Sequence, residues 1–148
     1  MKRGEIFLIE GTDKSGKETQ SKMLKNRIIG EGRDCEIMAF PRYNTPTGRV
    51  VGQCYLGKDP DFFFFLGDTG WLKDADGVDG KLASLYYAAD RYAAVSDIEN
   101  IVNQGKDLIL DRWVESNMGH QAGKAKHPME RGEIIEYIEE LEYGLLNL

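Results

Sequence analysis

The stretch Glu5 to Gln20, EIFLIEGTDKSGKETQ, runs a short apolar segment into two glycines five positions apart and a lysine. Gly11, Gly16 and Lys17 meet the pattern GxxxxGK, with Thr12, Asp13, Lys14 and Ser15 between the glycines. Small residues let successive backbone N–H groups curl around a phosphate while the lysine supplies a point charge. Ile6 to Ile9 suits a buried parallel strand. Thr19 to Ile29 reads as a helix with Met23, Leu24, Ile28 and Ile29 near one face. A helix N-terminus adds partial positive charge to such a loop, so strand, loop and helix together describe an anion site. One position departs from the pattern. Glu18 stands where a Ser or Thr hydroxyl ligates Mg²⁺, and Thr19 follows one step later. Read alone, the stretch also fits a glycine-rich turn between a core strand and a core helix.

At 148 residues, 41% hydrophobic and 30% charged, the chain has the size and balance of one globular domain. A formal net charge of −6 argues against a nucleic-acid polymer as partner, because such binding relies on basic patches. A small anion held by a local nest remains compatible with it. Cys35 and Cys54 are too few for a disulfide framework or a metal site and point to a reducing compartment. Glu5 and Glu10 bracket an apolar run too short for a signal-peptide core, and no membrane span is evident. The expected location is the cytoplasm.

Further apolar runs at Cys35–Phe40 and Asp107–Asp111 alternate with helical sequence, the longest from about Lys81 to Gln104. That alternation implies an α/β fold with parallel strands. The segment from Tyr43 to Gly80 reads as a short helix near Thr47–Leu56 and then a long loop, with the run Phe62–Phe65 packing against it. Met129 to Leu146 places Ile134, Ile135, Ile138, Leu141 and Leu145 at helical spacing with glutamates between, which are read as a solvated face.

Three clusters fall where such a sheet collects ligands, past the carboxyl ends of strands. They are Phe40-Pro41-Arg42-Tyr43, Asp111-Arg112, and Tyr86-Tyr87-Ala88-Ala89-Asp90-Arg91 within the long helix. Arginines and aromatics around a phosphate loop suggest a second, phosphorylated and aromatic substrate, since the guanidinium fork holds phosphate oxygens bidentately. Individually, Asp90-Arg91 also fits a helix-surface pair, Asp111-Arg112 a strand cap, and Tyr87 a core position.

Together, IEGTDKSGKETQ, FPRYNTPTG, LYYAADRY and DRWVESNMGHQ resemble the thymidylate kinases, P-loop nucleoside monophosphate kinases that transfer the γ-phosphoryl of ATP to dTMP. The resemblance implies a three-layer P-loop fold with a parallel sheet ordered 2-3-1-4-5 and flanked by helices, of which this chain would contain the first three strands. It implies that Gly11 to Thr19 bind the ATP phosphates, with Lys17 on the β- and γ-phosphates and Lys14 on the transferring group. Phe40 and Tyr87 would flank the thymine, with Pro41, Arg42 and Tyr43 beside them. Arg91 and Arg112 would hold the dTMP phosphate, Ser116, Asn117, His120 and Gln121 would lie near the nucleoside, and Asp13 would sit between the sugar and the metal or phosphate cluster. Catalysis would rest on Lys14, Lys17, Asp111 and Arg112. Mg²⁺ would be held by Asp13 and Asp111, with Glu18 a further candidate ligand. A homodimer packed through helices is also implied.

In the family an arginine-bearing lid and two further strands follow a helix like Glu133–Leu145, so the resemblance leads us to expect a chain lacking them. The first strand would then be an open apolar edge. Two other functions remain compatible with the residues: another P-loop nucleotide or deoxynucleoside kinase, and a non-catalytic nucleotide-binding fragment.

Overall fold

A computed structural model describes residues 2–56 and 77–148. Strands β1 (Ile6–Ile9), β2 (Cys35–Ala39) and β3 (Asp107–Asp111) pair in parallel in the order β1-β3-β2. Helix α1 (Lys17–Gly30) joins β1 to β2. Between β2 and β3 lie α2 (Pro46–Arg49), a wide π-helical turn (Val50–Tyr55) and α3 (Gly80–Asn103). After β3 come α4 (Val114–Ala122), α5 (Pro128–Glu139) and a second π-helical turn, Glu140–Leu145. The Phe62–Phe65 run and most of the long loop lie outside the described residues.

The central strand explains the three layers. Leu108 and Leu110 pack with Phe40, Ala94, Ile98 and Val102 on the α3 side, whereas Ile109 packs with Ile28 and Cys35 on the α1 side. Alternate side chains of a strand point to opposite faces, so β3 is buried on both. A further cluster of Val114, Ala122, Ala125, Ile134 and Ile138 binds α4 to α5.

Local chemistry sets the helix ends. The Asp79 carboxylate accepts from the Leu82 N–H at 2.9 Å and starts α3. Thr45 Oγ1 accepts from Gly48 N at 3.2 Å, and Pro46 occupies the first turn of α2. Gly48 has no alternative, because a Cβ there would run into the Arg42 carbonyl. At Gly16 a φ of 88° turns the chain from the loop into α1.

The strands and long helices fall where the periodicity puts them, but several faces differ. Ile6 and Leu8 of β1 are 46% and 44% exposed, not buried as the apolar run alone suggests but as expected of an open edge strand, since among the described residues β1 pairs only with β3. Met23 and Ile29 are exposed on α1, whereas Leu24 and Ile28 turn toward the sheet. In the last segment Leu145 is 75% exposed while Glu142 is fully buried, so the glutamates do not form one solvated face. The chain there bonds i to i+5, as in Leu146 N–H to the Leu141 carbonyl at 3.0 Å. That wider turn keeps the row Ile134, Ile138, Glu142, spaced four apart, pointing inward.

Ile109→Ala should cost about 2–5 kcal/mol of unfolding free energy, because Ile109 is wholly buried between two layers. Leu8→Ala should cost clearly less. Urea unfolding of both variants checks this ranking, and equal losses would contradict it.

Candidate functional site

The three strand ends converge. Ile9 and Ala39 both lie opposite Asp111, the Arg112 N–H bonds to the Ile9 carbonyl at 3.0 Å, and the Phe40 N–H bonds to the Asp111 carbonyl at 3.0 Å. The glycine loop, the FPRY segment and the DRW segment therefore leave the sheet at a single rim.

Two cavities open there. The smaller, about 360 Å³, is lined by Lys14, Ser15, Gly16, Lys17, Glu18, Thr19, Asp111 and Arg112. Lys17 is 9% exposed and donates from Nζ to the Thr12 carbonyl at 2.5 Å, curled into its own loop. Gly11 takes a φ of 157°, and a Cβ there would press on Ser15 Oγ at 2.9 Å. Lys14 holds a left-handed φ of 62°, which costs a non-glycine residue roughly 1–2 kcal/mol. Backbone strain of that kind clusters at ligand sites.

Glu18 lies along the surface of α1 and accepts from Lys22 Nζ at 2.5 Å. That hydrogen bond and the ammonium charge hold its carboxyl below the ordinary range. Asp111 shifts oppositely: burial raises it, and the Lys17 and Arg112 charges only partly offset this. Among the described residues no three His, Cys, Asp or Glu side chains gather into a metal cluster. A Mg²⁺ ion does not need one, since it commonly binds through one or two carboxylates, phosphate oxygens and water. Asp111, a hard oxygen donor beside Lys17 and Thr19, fits that role.

Arg112 lines both cavities. Its φ of 73° turns it back across the rim. There Nη2 pairs with Asp13, and Nη1 lies 3.4 Å from the Gly11 carbonyl, 3.4 Å from Ser116 Oγ and 3.5 Å from His120 Nε2. Asp13 is 73% exposed, so an incoming anion can replace this ion pair at little cost. Behind Arg112, Glu10 accepts from the Trp113 N–H at 2.6 Å, the Ser116 N–H at 3.3 Å and the Ser116 hydroxyl. It ties the end of β1 to the start of α4.

The larger cavity, about 830 Å³, is lined by Asp13, Phe40, Pro41, Tyr43, Leu56, Tyr87, Arg91, Arg112, Trp113, Ser116, Asn117, His120, Gln121, Gly123 and Lys124. Its size suits a small organic ligand, whose sites span about 300–1,000 Å³. Phe40 meets Trp113 edge to face with centroids 5.0 Å apart, which fixes one apolar wall. Arg91 is 2% exposed, and its Nε and Nη2 donate to Glu142 at 2.5 and 2.6 Å. Asn117 Nδ2 donates to the same carboxylate at 2.8 Å.

Every residue that the sequence suggested for the acceptor lines this cavity except Arg42. Arg42 is held elsewhere: Nη1 bonds Asp97 at 2.8 Å, the backbone N–H bonds Asp90 at 2.7 Å, and the guanidinium lies 5.9 Å over the Phe40 ring. It fastens the FPRY segment to α3. Asp90 and Arg91 are not a surface pair, because Asp90 is 1% exposed and serves that segment while Arg91 turns to Glu142. Sequence reasoning missed Glu10, Trp113, Glu142 and Lys124. It also missed α4 as a helix, because Trp113 at its start offers no side-chain cap.

Comparison with known proteins follows the same lines. A family model described as thymidylate kinase matches residues 9–63. The thymidylate kinase of Schizosaccharomyces pombe is 27% identical over 122 residues, covering 82% of this chain and 50% of that protein. The human thymidylate kinase is 28% identical over 123 residues, covering 83% of this chain and 50% of that protein. A solved structure of thymidylate kinase from Candida albicans matches with a TM-score of 0.67 and 25% identity, over 94% of this chain and 56% of that one. The chain thus spans about half the length of the curated relatives it matches. Among the described residues no helix is long and apolar enough to cross a membrane.

The raised Asp111 carboxyl has a consequence for stability. A carboxyl whose pKa is higher folded than unfolded favours folding below its ordinary range, and that advantage disappears as pH rises through the raised value. Asp111→Asn, unfolded by urea in the presence of EDTA, should therefore be more stable than the native chain at pH 7. The difference should vanish at acid pH, and an Asn variant less stable at pH 7 would contradict the reading.

Proposed function

We propose that this chain, related in sequence and in fold to the thymidylate kinases, carries the phosphate loop and acceptor site of a dTMP kinase, which transfers the γ-phosphoryl of ATP to dTMP to give dTDP and ADP. One observation carries the reading: Arg112 lines both cavities, so an anion bound in one lies beside an anion bound in the other. Phosphoryl transfer asks little covalent chemistry of a protein. It asks for two phosphates held in line and their mutual repulsion screened.

In this reading the loop from Gly11 to Thr19 wraps the ATP phosphates, Lys17 leaves the Thr12 carbonyl for the β- and γ-oxygens, and Lys14 leans on the transferring group. Asp111 would hold Mg²⁺ at the loop cavity, with Asp13, once released by Arg112, as a second ligand, and the ion would neutralise charge on the phosphate oxygens. Glu18 lines the same cavity and is a further candidate ligand, its exposed pair with Lys22 being readily exchanged. The dTMP phosphate exchanges for Asp13 on Arg112. Thymine lies between Phe40 and Tyr87, with Pro41 and Tyr43 closing one side and Asn117, His120 and Gln121 at the edge; such stacking is worth roughly 1–3 kcal/mol. Arg91, which the resemblance put on the dTMP phosphate, is assigned in this reading to the nucleoside end, because Glu142 already balances its charge.

A homodimer fits the exposed row Leu82, Leu85, Ala89, Tyr92 along α3, which has helical spacing and no partner layer among the described residues. The scarcity of cysteine suits the cytoplasm.

Isothermal calorimetry of the chain with dTMP, dUMP, dCMP and thymidine tests the acceptor, and a coupled ADP-release assay tests transfer. The tightest binding is expected for dTMP. Lys17→Ala should lower turnover at least about a hundredfold while changing the dTMP dissociation constant less than about threefold. Preference for thymidine over dTMP would overturn the substrate, and dTMP binding without ADP release would favour a non-catalytic nucleotide-binding module.

A further inference from the structure

Glu142 has no part in the proposed reaction, yet it is fully buried, and both side chains that donate to it line the larger cavity. A carboxylate can only accept hydrogen bonds. Glu142 therefore takes the amide NH₂ of Asn117 at 2.8 Å, which assigns the sense of that side chain and leaves Oδ1 as its free end. Asn117 is 3% exposed, and among the described residues its Oδ1 has no partner. Gln121, 1% exposed and also on the cavity wall, carries a second acceptor, Oε1, without a partner among the described residues. Such orphaned acceptors are rare in folded proteins and call for an explanation, a donor brought by a ligand being one. Arg91 gives Glu142 two of its five N–H groups, at 2.5 and 2.6 Å, and its charge is balanced at once.

We propose that Glu142 is a positioning residue of the acceptor site, setting Asn117 as an acceptor and Arg91 as a charge-balanced donor so that this wall receives an uncharged imide edge and not a phosphate. The inference rests on the proposed acceptor function and deepens it. An imide N–H satisfies an acceptor on the wall. An aminopyrimidine, whose ring nitrogen at that place is itself an acceptor, leaves it unpaired, and a site built around a hydrogen bond rejects the analogue that cannot make it. Balancing Arg91 also leaves Arg112, with its replaceable Asp13, as the arginine for the anion. Glu142 thereby sets which end of a nucleotide faces this wall.

The test is calorimetry of dTMP and dCMP binding to the native chain and to Glu142→Gln, with ADP as a control for the loop. In the variant Asn117 can turn its amide over, so the dTMP-over-dCMP preference should fall at least about tenfold while ADP affinity stays within about twofold. A structural role alone would lower the stability without moving that preference. Glu142→Asp, which keeps the charge but withdraws it by one methylene, should lose less of the preference than Gln. A native preference that survives unchanged in both variants overturns this inference alone. A native chain with no dTMP preference overturns the proposed substrate and this inference with it. Should neither variant fold, NMR of the unmodified, ligand-free chain decides: the Asn117 side-chain amide protons should exchange slowly with solvent, and rapid exchange would overturn the assignment.

Discussion

The parallel pairing of β3 with both neighbours is the constraint on which the rest depends. Asp111 lies opposite Ile9 on one side and Ala39 on the other, and its flanking peptide groups bond the chain on both. Parallel strands present all their carboxyl ends at one rim, so the segments after β1, β2 and β3 must meet. The burial of Leu108, Ile109 and Leu110 between α3 and α1 holds that rim still. The glycine loop, the aromatic wall at Phe40 and the guanidinium of Arg112 are products of this arrangement, not separate features.

Charge then divides the site. Arg112 pairs with an exposed aspartate, and an exposed pair contributes little and is readily exchanged. Arg91 pairs with a glutamate that solvent does not reach, where removing one partner typically costs about 3–5 kcal/mol. The same residue type thus does two jobs. One arginine is available to an arriving anion and the other is locked into the wall. Asp111, whose carboxyl burial pushes up, lines the loop cavity beside Lys17 and Arg112.

Much of this was legible in the chain, for reasons that differ by residue. The strand-loop-helix order around Gly11 and Lys17 is a local pattern, and local patterns survive folding. Phe40, Tyr87, Arg112, Asn117 and Gln121 were recoverable through resemblance to the thymidylate kinases, and the structure gathers them around one cavity. Arg42 was misplaced because it sits beside lining residues, and adjacency says nothing about where Asp90 and Asp97 will pull a guanidinium. Glu142 was missed for a physical reason. The apolar residues Leu141 and Leu145 drew the buried stripe away from it, whereas the i to i+5 turn carries the row of Ile134 and Ile138 into a carboxylate. Burial of that carboxylate depends on Arg91, 51 residues earlier, which no periodicity records.

In the proposed reaction Arg112 is where a bound nucleotide's phosphate meets the loop cavity. Calorimetry of thymidine and dTMP against the native chain and Arg112→Ala tests it most directly, since the ratio of the two affinities isolates the phosphate. The native chain should favour dTMP, and the variant should lose at least about tenfold of that ratio, roughly 1.4 kcal/mol, with thymidine binding little changed. An unchanged ratio would contradict the account.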